Sequence, residues 1–271
     1  MRKQLLQPLF YSALSFGMCG ASFATNIAVV AHRGGSALAP ENTLGAFRNA
    51  ITLGVDMVEC DVHLSKDGQV VVMHDADVSR TTDGTGDISD KTLAELKTLN
   101  AAAKFGDGKR VERIPTLEEV LDAVKGKARV QIEIKSGPHG RYVGLEQKMV
   151  DLLKAKHMTA DVIIISFGMA AIKEIKHLDS TIQTGALIGG GWEKKDQGQF
   201  FDDLVNNVHA DYFLPYFAPV TDATVEAVHA HGMKIGVWTV NSTADMRRLA
   251  SIGLDAMTTD KPDELKKVLG K

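Results

Sequence analysis

A chain of 271 residues with 31 Lys and Arg against 34 Asp and Glu carries a formal charge of −3, which excludes a nucleic-acid surface held by bulk charge. Any anion must therefore be bound by a few placed cations. The length suits one large α/β domain or two small ones.

The first 24 residues place Arg2 and Lys3 before a mostly apolar stretch from Leu5 to about Ala21 and end in small residues around Ala24. This is the pattern of a secretory signal peptide cleaved near Ala24. A membrane anchor fits less well because Pro8, Tyr11 and the small residues make a weak spanning helix, so no stable membrane insertion is expected. A lipoprotein signal at Cys19 fits poorly because Met18 stands where a small residue is wanted. Cleavage removes Arg2 and Lys3 and no acid, which moves the charge from −3 to −5. Cys60 is then the single cysteine, so no internal disulfide can form. Residues 25–271 read as the mature domain of a periplasmic or secreted protein.

Eight apolar and β-branched runs follow: 27–32, 57–64, 128–135, 161–167, 181–188, 210–216, 233–241 and 254–259. Amphipathic, helix-length segments lie between them, among them 42–53, 117–124, 144–157, 168–178, 222–231 and 244–252. Eight βα units with short connections predict a (β/α)8 TIM barrel. No G-x-G-x-x-G or G-K-[ST] loop argues for a nucleotide fold. One connection, about 76–115, is too long for a simple loop. Capping boxes at Thr92/Glu95 and Thr116/Glu119 make it a small structured insertion after the second strand and start the next helix. An insertion there can lid a site.

Candidate site residues gather at the predicted strand ends. His32 and Arg33 follow the first strand, where Gly34 and Gly35 allow a tight turn and Asn42 or Thr43 caps the next helix. Glu41 is placed either to orient His32 or to favour that helix N-terminus. In "VECDVHLSKDGQVVVMHD", a two-residue Asp67-Gly68 turn pairs residues whose numbers sum to 135. Asp61 then faces His74, and Glu59 shares their side. His63 shares that face further out, as a mouth-lining residue, while Cys60 reads as inert core. In "QIEIK", Gln131, Glu133 and Lys135 share one face. Glu133 and Lys135 are too polar for core filler, unless they satisfy each other as an ion pair.

Three carboxylates, Glu59, Asp61 and Glu133, make a hard oxygen site suited to one divalent cation, Mg2+ or Ca2+. Two histidines can divide acid and base duties, and Arg33 and Lys135 suit an anionic substrate. Trp238 either stacks on substrate or fills the barrel. His157, His177, His209, His229 and His231 default to the surface.

With these residues in hand, "HRGGSALAPENT", "VECDVHLSKDGQVVVMHD", "RTTDGTGDISDKTLAEL", "RIPTLEEVL" and "IEIK" resemble the glycerophosphodiester phosphodiesterase family, from about Ala31 to the "TTDKP" at 258–262. The resemblance implies a TIM barrel that hydrolyses a small-molecule phosphodiester to glycerol 3-phosphate and an alcohol. It implies His32 and His74 as the acid/base pair, Glu59, Asp61 and Glu133 as metal ligands, and Arg33 and Lys135 on the phosphate. It also implies attack by the substrate's own glycerol 2-hydroxyl, through a cyclic phosphate that water opens. Three alternatives stand beside it. They are a lysophospholipase D-type phosphodiesterase, a metal-independent glycoside hydrolase using Glu59 and Glu133, and a non-catalytic phosphodiester-binding scaffold. The segment 188–201, with Trp192, Phe200 and Phe201 among charges, reads as a loop and decides nothing between them.

Overall fold

The computed structural model describes residues 27–106 and 109–271; the leader read over 1–24 lies outside the described residues. Apolar runs become nine strands of one sheet. These are β1 (Ala28–Ala31), β2 (Met57–Leu64), β3 (Val70–Val72), β4 (Arg129–Ile134), β5 (Val162–Ser166), β6 (Gln183–Ile188), β7 (Tyr212–Pro215), β8 (Lys234–Val237) and β9 (Ala256–Thr259). All except β3 pair in parallel in the order β1-β9-β8-β7-β6-β5-β4-β2, and β1 pairs with β2 to close the ring. The result is the predicted (β/α)8 barrel. Its strands are buried on both faces, which is why they read as near-continuous apolar runs.

Outside the ring lie α1 (Leu44–Thr52), α2 (Leu93–Leu96), α3 (Leu117–Val124), α4 (Leu145–Lys156), α5 (Met169–Leu178), α6 (Gln197–Asp203), α7 (Asp222–Ala230), α8 (Thr243–Ala250) and α9 (Pro262–Leu269). Both predicted capping boxes form, at Thr92/Glu95 and Thr116/Glu119. α1 is capped by Thr43, which accepts from Ala46 N, and not by Asn42. α6 replaces part of the expected 188–201 loop: Asp196 caps it and Phe201 fills the core. Glycines and charges there hide the apolar period. α9 starts with Pro262 in its first turn, a start signal the sequence reading passed over.

Along β2 the inward side chains change from Met57, in an apolar plug with Val30, Ile163, Ile165, Leu187 and Leu214, to Glu59 and Asp61. The barrel floor is thus apolar, and the C-terminal strand ends, where barrel enzymes build their sites, are polar. Residues 73–115 carry a separate small core of Met73, Val78, Ile88, Leu96, Ala101 and Ile114 with Val71 of β3.

The hairpin register differs from the sequence expectation. Leu64 pairs with Val70, His63 with Val71 and Val62 with Val72, so the numbers sum to 134. Ser65 N donates to Gln69 O (3.0 Å) and Gly68 N to Ser65 O (2.9 Å), with Gly68 at φ +76°. A three-residue loop closed by a left-handed glycine replaces the two-residue turn. Met73, not His74, lies opposite Asp61, donating to its carbonyl at 3.0 Å. Such a slip sends side chains to the other face. His74 escapes it because β3 ends at Val72 and the backbone bends at His74.

Candidate active site

At the C-terminal end of the barrel a cavity of about 210 Å3 is lined by His32, Arg33, Glu59, His74, Glu133 and Lys135 on one side and by Phe167, Leu214 and Trp238 on the other. The geometry starts from β1. Immediately after Ala31 the chain makes one tight turn, His32–Gly34, in which Arg33 sits at φ +52°, a conformation that costs a non-glycine residue energy and clusters at functional sites. Gly34 follows at φ +81°, and a Cβ there would lie 2.7 Å from Ala46 Cβ, so only glycine lets the turn pack on α1.

Barrel closure supplies the partner of His32. β1 and β9 run in register, Ala31 opposite Thr259, so the next residues, His32 and Asp260, emerge side by side. His32 Nδ1–H donates to Asp260 Oδ1 at 2.6 Å, which leaves Nε2 facing the cavity, 4.0 Å from Glu59 Oε2. Asp260 also accepts from Ser36 Oγ (2.6 Å) and Asn241 Nδ2 (2.5 Å). Burial acts against its charge, but these donors, His32 foremost, hold its carboxyl far below the usual carboxylate range.

His74 is held in the same manner: Nδ1–H donates to Asp75 Oδ1 at 2.6 Å. Its carbonyl accepts from His63 Nε2 (3.0 Å), and His63 Nδ1 accepts from Tyr142 Oη (2.9 Å). His63 is therefore a buried prop of His74 rather than a mouth-lining residue. Burial pushes the His74 imidazole below its ordinary value, with Asp61 pulling the other way.

Glu59, Asp61 and Glu133 are all buried, and one carboxylate oxygen from each lies within 4.8 Å of the others. Parallel register sets this cluster, since Asp61 of β2 lies opposite Glu133 of β4. Burial and repulsion from Asp61 and Glu133 push Glu59 well above the carboxylate range, and burial with Asp61 pushes Glu133 up to about 7. Burial would raise Asp61 too, but Lys135, His74 and Arg33 outweigh it and keep it low. Lys135 Nζ bonds Glu133 at 2.7 Å and stands 3.2 Å from Asp61 Oδ1. The Glu133–Lys135 ion pair thus forms, but within the acidic cluster rather than as isolated filler. Its contact with Asp61 is an ion pair without hydrogen-bond alignment, so Asp61 Oδ1 is buried with no hydrogen-bond donor. Three crowded carboxylates, one with an unbonded oxygen, fit a hard divalent cation.

Arg33 is anchored by its own backbone N–H on Glu59 (2.8 Å) and by Nη1 on Glu41 (3.1 Å), and its Nε lies 3.7 Å from Asp61 Oδ2. Glu41 binds Arg33 and Arg80 and does not touch His32, which corrects the expectation that it orients the histidine. Asn42, at φ +56°, donates to Asp61 at 2.8 Å. Trp238 lines the cavity, its Nε1 donating to Leu214 O (2.8 Å) and its ring edge-to-face with Phe167 at 5.3 Å. Cys60 is buried and free.

The structure therefore brings His32, Arg33, Glu59, His74, Glu133, Lys135 and Trp238 onto one cavity, with Asp61 buried beside Glu133 and Lys135. It adds Asp260, Asp75, Asn42, Arg80 and Tyr142, which sequence reading missed. Asp260 could have been found by aligning the last strand beside the first, as any closed barrel requires. A larger cleft, about 890 Å3, opens at the opposite end among Lys173, Lys176 and Lys234 and holds none of the predicted site residues.

Fold and site together define a barrel hydrolase with paired histidines, placed cations and an acidic cluster at its strand ends. Residues 32–264 match the glycerophosphoryl diester phosphodiesterase family, and the chain belongs to it. It is 38% identical to a glycerophosphodiester phosphodiesterase of Caldanaerobacter subterraneus over 88% of this chain and 95% of that one. It is 32% identical to a glycerophosphodiester phosphodiesterase of Bacillus subtilis over 99% of both. Among solved structures, an Oleispira antarctica phosphodiesterase in complex with the product sn-glycerol-3-phosphate is 31% identical, with a TM-score of 0.78 over 90% of this chain and 97% of that one.

Proposed function

We propose that the protein hydrolyses small glycerophosphodiesters to glycerol 3-phosphate and an alcohol, using Mg2+ or Ca2+ at Glu59, Asp61 and Glu133 and His32 and His74 as proton carriers. The observation that carries this reading is the convergence of two aspartate-held imidazoles, two cations and three mutually repelling buried carboxylates on one cavity. A bound cation supplies Lewis-acid neutralisation of charge growing on the phosphoryl oxygens. Arg33 and Lys135 bind the phosphate beside it. Arg33 Nε and Gln131 Nε2, both buried and without acceptors, are donors left over for an oxygen-rich ligand. One imidazole takes the proton of the attacking glycerol 2-hydroxyl, and the other gives a proton to the departing alcohol oxygen as its bond to phosphorus breaks. Water then opens the cyclic phosphate. Asp260 and Asp75 keep both Nε2 atoms directed at the substrate. The product bound to the Oleispira relative supports the same product here.

Family membership as a phosphodiesterase replaces the glycoside-hydrolase and binding-scaffold alternatives. A lysophospholipid substrate keeps one supporting observation, the apolar wall of Ile165, Leu187, Leu214 and Trp238 leading to Phe167, which is 49% exposed. Among the described residues no helix is long and apolar enough to cross a membrane. The proposal includes export by a leader over residues 1–24, with the activity in the periplasm or outside the cell; the basic, apolar and small-residue pattern of that stretch supports it, and N-terminal sequencing of the exported protein should begin at Thr25.

The test is choline release from glycerophosphocholine, with glycerol 3-phosphate as the other product, and from lysophosphatidylcholine, with 1-acylglycerol 3-phosphate as the other product, with EDTA and with Mg2+ or Ca2+ restored. Release from the first, lost in EDTA and regained with one ion, supports the reading. Full release in EDTA refutes the metal role. His32→Ala and His74→Ala should each cost about 10^2- to 10^4-fold in kcat.

A further inference from the structure

The stretch "RTTDGTGDISD" that follows the hairpin has no role in the chemistry described above, yet its first residue ends inside the site's network. Arg80 closes a one-turn helix, Val78–Arg80, which Asp77 caps by accepting from Ser79 N. Val78 is fully buried in the insertion's own core, and Thr82 Oγ1 bonds back to Val78 O at 2.7 Å. A rigid platform thus presents one guanidinium. Its two terminal nitrogens grip both oxygens of Glu41, Nη1 to Oε2 at 2.9 Å and Nη2 to Oε1 at 2.6 Å, while its Nε bonds Asp75 Oδ2. Glu41 in turn holds Arg33 Nη1, and Asp75 holds His74 Nδ1. The chain Arg33–Glu41–Arg80–Asp75–His74 is unbroken, and it joins a phosphate-binding cation after β1 to a proton carrier after β3.

We propose that Arg80 is a positioning residue: its guanidinium fixes Asp75 behind His74 and Glu41 behind Arg33, so that the insertion sets the proton carrier and the phosphate site in one relative geometry. This rests on the roles given to Arg33 and His74 above. Half-exposed ion pairs add little to stability, and the Arg80 side chain is 47% exposed, so the gain lies in orientation. Each carboxylate needs both its oxygens filled to stay in place. Without Arg80, Asp75 keeps only its bond to His74 and turns toward solvent with it. A lysine could reach one carboxylate but not grip Glu41 with two nitrogens and Asp75 with a third.

The experiment compares the full chain with R80A and R80K. Expected for R80A are a kcat about 10- to 100-fold lower on glycerophosphocholine, a KM within about threefold, and partial recovery with low concentrations of guanidinium. R80K should stay impaired. In 15N-histidine NMR spectra, assigned with H74A, the hydrogen-bonded Nδ1–H proton of His74 should broaden into exchange with water in R80A. A kcat within threefold of the parent overturns the proposal, and so does an unchanged His74 Nδ1–H signal. If the parent shows no turnover, the activity reading fails by itself and the His74 signal still decides the role of Arg80.

Discussion

Asp260→Asn isolates the orientation of His32 while keeping the number of heavy atoms. The wild-type carboxylate accepts three hydrogen bonds, from His32 at 2.6 Å, Ser36 at 2.6 Å and Asn241 at 2.5 Å. An asparagine cannot reproduce them. With its oxygen toward His32 and Ser36, its amide meets the Asn241 amide, donor against donor. Turned over, it satisfies Asn241 but presents N–H to His32 Nδ1, which forces the proton onto Nε2 and makes the site-facing nitrogen a donor only. Loss of the orienting carboxylate behind a catalytic histidine costs up to about 10^4-fold in hydrolases built on that pair. A loss of about 10^2- to 10^4-fold in kcat/KM at pH 7 is therefore expected, about 3–5 kcal/mol of transition-state stabilisation. The accompanying stability loss should be about 1–2 kcal/mol, the lower part of the range for a disrupted buried hydrogen bond, because the Asp260 side chain is 25% exposed. The pH dependence carries a sign. Asp260 titrates below its unfolded value, so its contribution is complete above pH ~4 and disappears as pH falls through the folded value. The variant should consequently lose less stability than the parent between pH 4 and 2. The assay is initial-rate glycerol 3-phosphate release, coupled to a dehydrogenase, with urea unfolding at each pH. A kcat/KM within threefold of wild type refutes the argument.

Glu133, raised from 4.5 to about 7, binds its proton more tightly folded than unfolded. In chelated protein, stability should fall as pH rises from about 4.5 to 7, by on the order of 3 kcal/mol. Denaturant unfolding in EDTA measures this; Glu133→Gln should flatten the slope, and added Mg2+ or Ca2+ should oppose it. Gly34→Ala places a Cβ 2.7 Å from Ala46 Cβ at φ +81°, so a loss of at least about 2 kcal/mol and a Tm lower by about 4–8 °C is expected by calorimetry. Tyr142→Phe removes the hydroxyl that donates to His63. It should lower kcat by about three- to tenfold through His74 while leaving KM near its parent value; an unchanged kcat would show that the His63 prop is immaterial.

The sequence by itself determined the barrel and most of the residue types at its candidate site, because those features are written in local periods. Buried parallel strands read as apolar runs, capping boxes mark helix starts, and alternation along "VECD" and "QIEIK" puts the acids and Lys135 on shared faces. The hairpin register was misread because a left-handed Gly68 serves a two-residue turn and a three-residue loop alike, and only pairing chooses between them. His74 reached the site regardless, through a bend beyond β3 that has no sequence period. Only the tertiary structure decided what stands behind the reactive groups. Asp260 meets His32 across 228 residues because the last strand closes on the first, and Arg80 meets Glu41 across 39 because the insertion folds back over the barrel mouth. Such partners depend on ring closure and loop packing, which no local pattern encodes, whereas the site's residue types follow from strand alternation, which the chain carries openly.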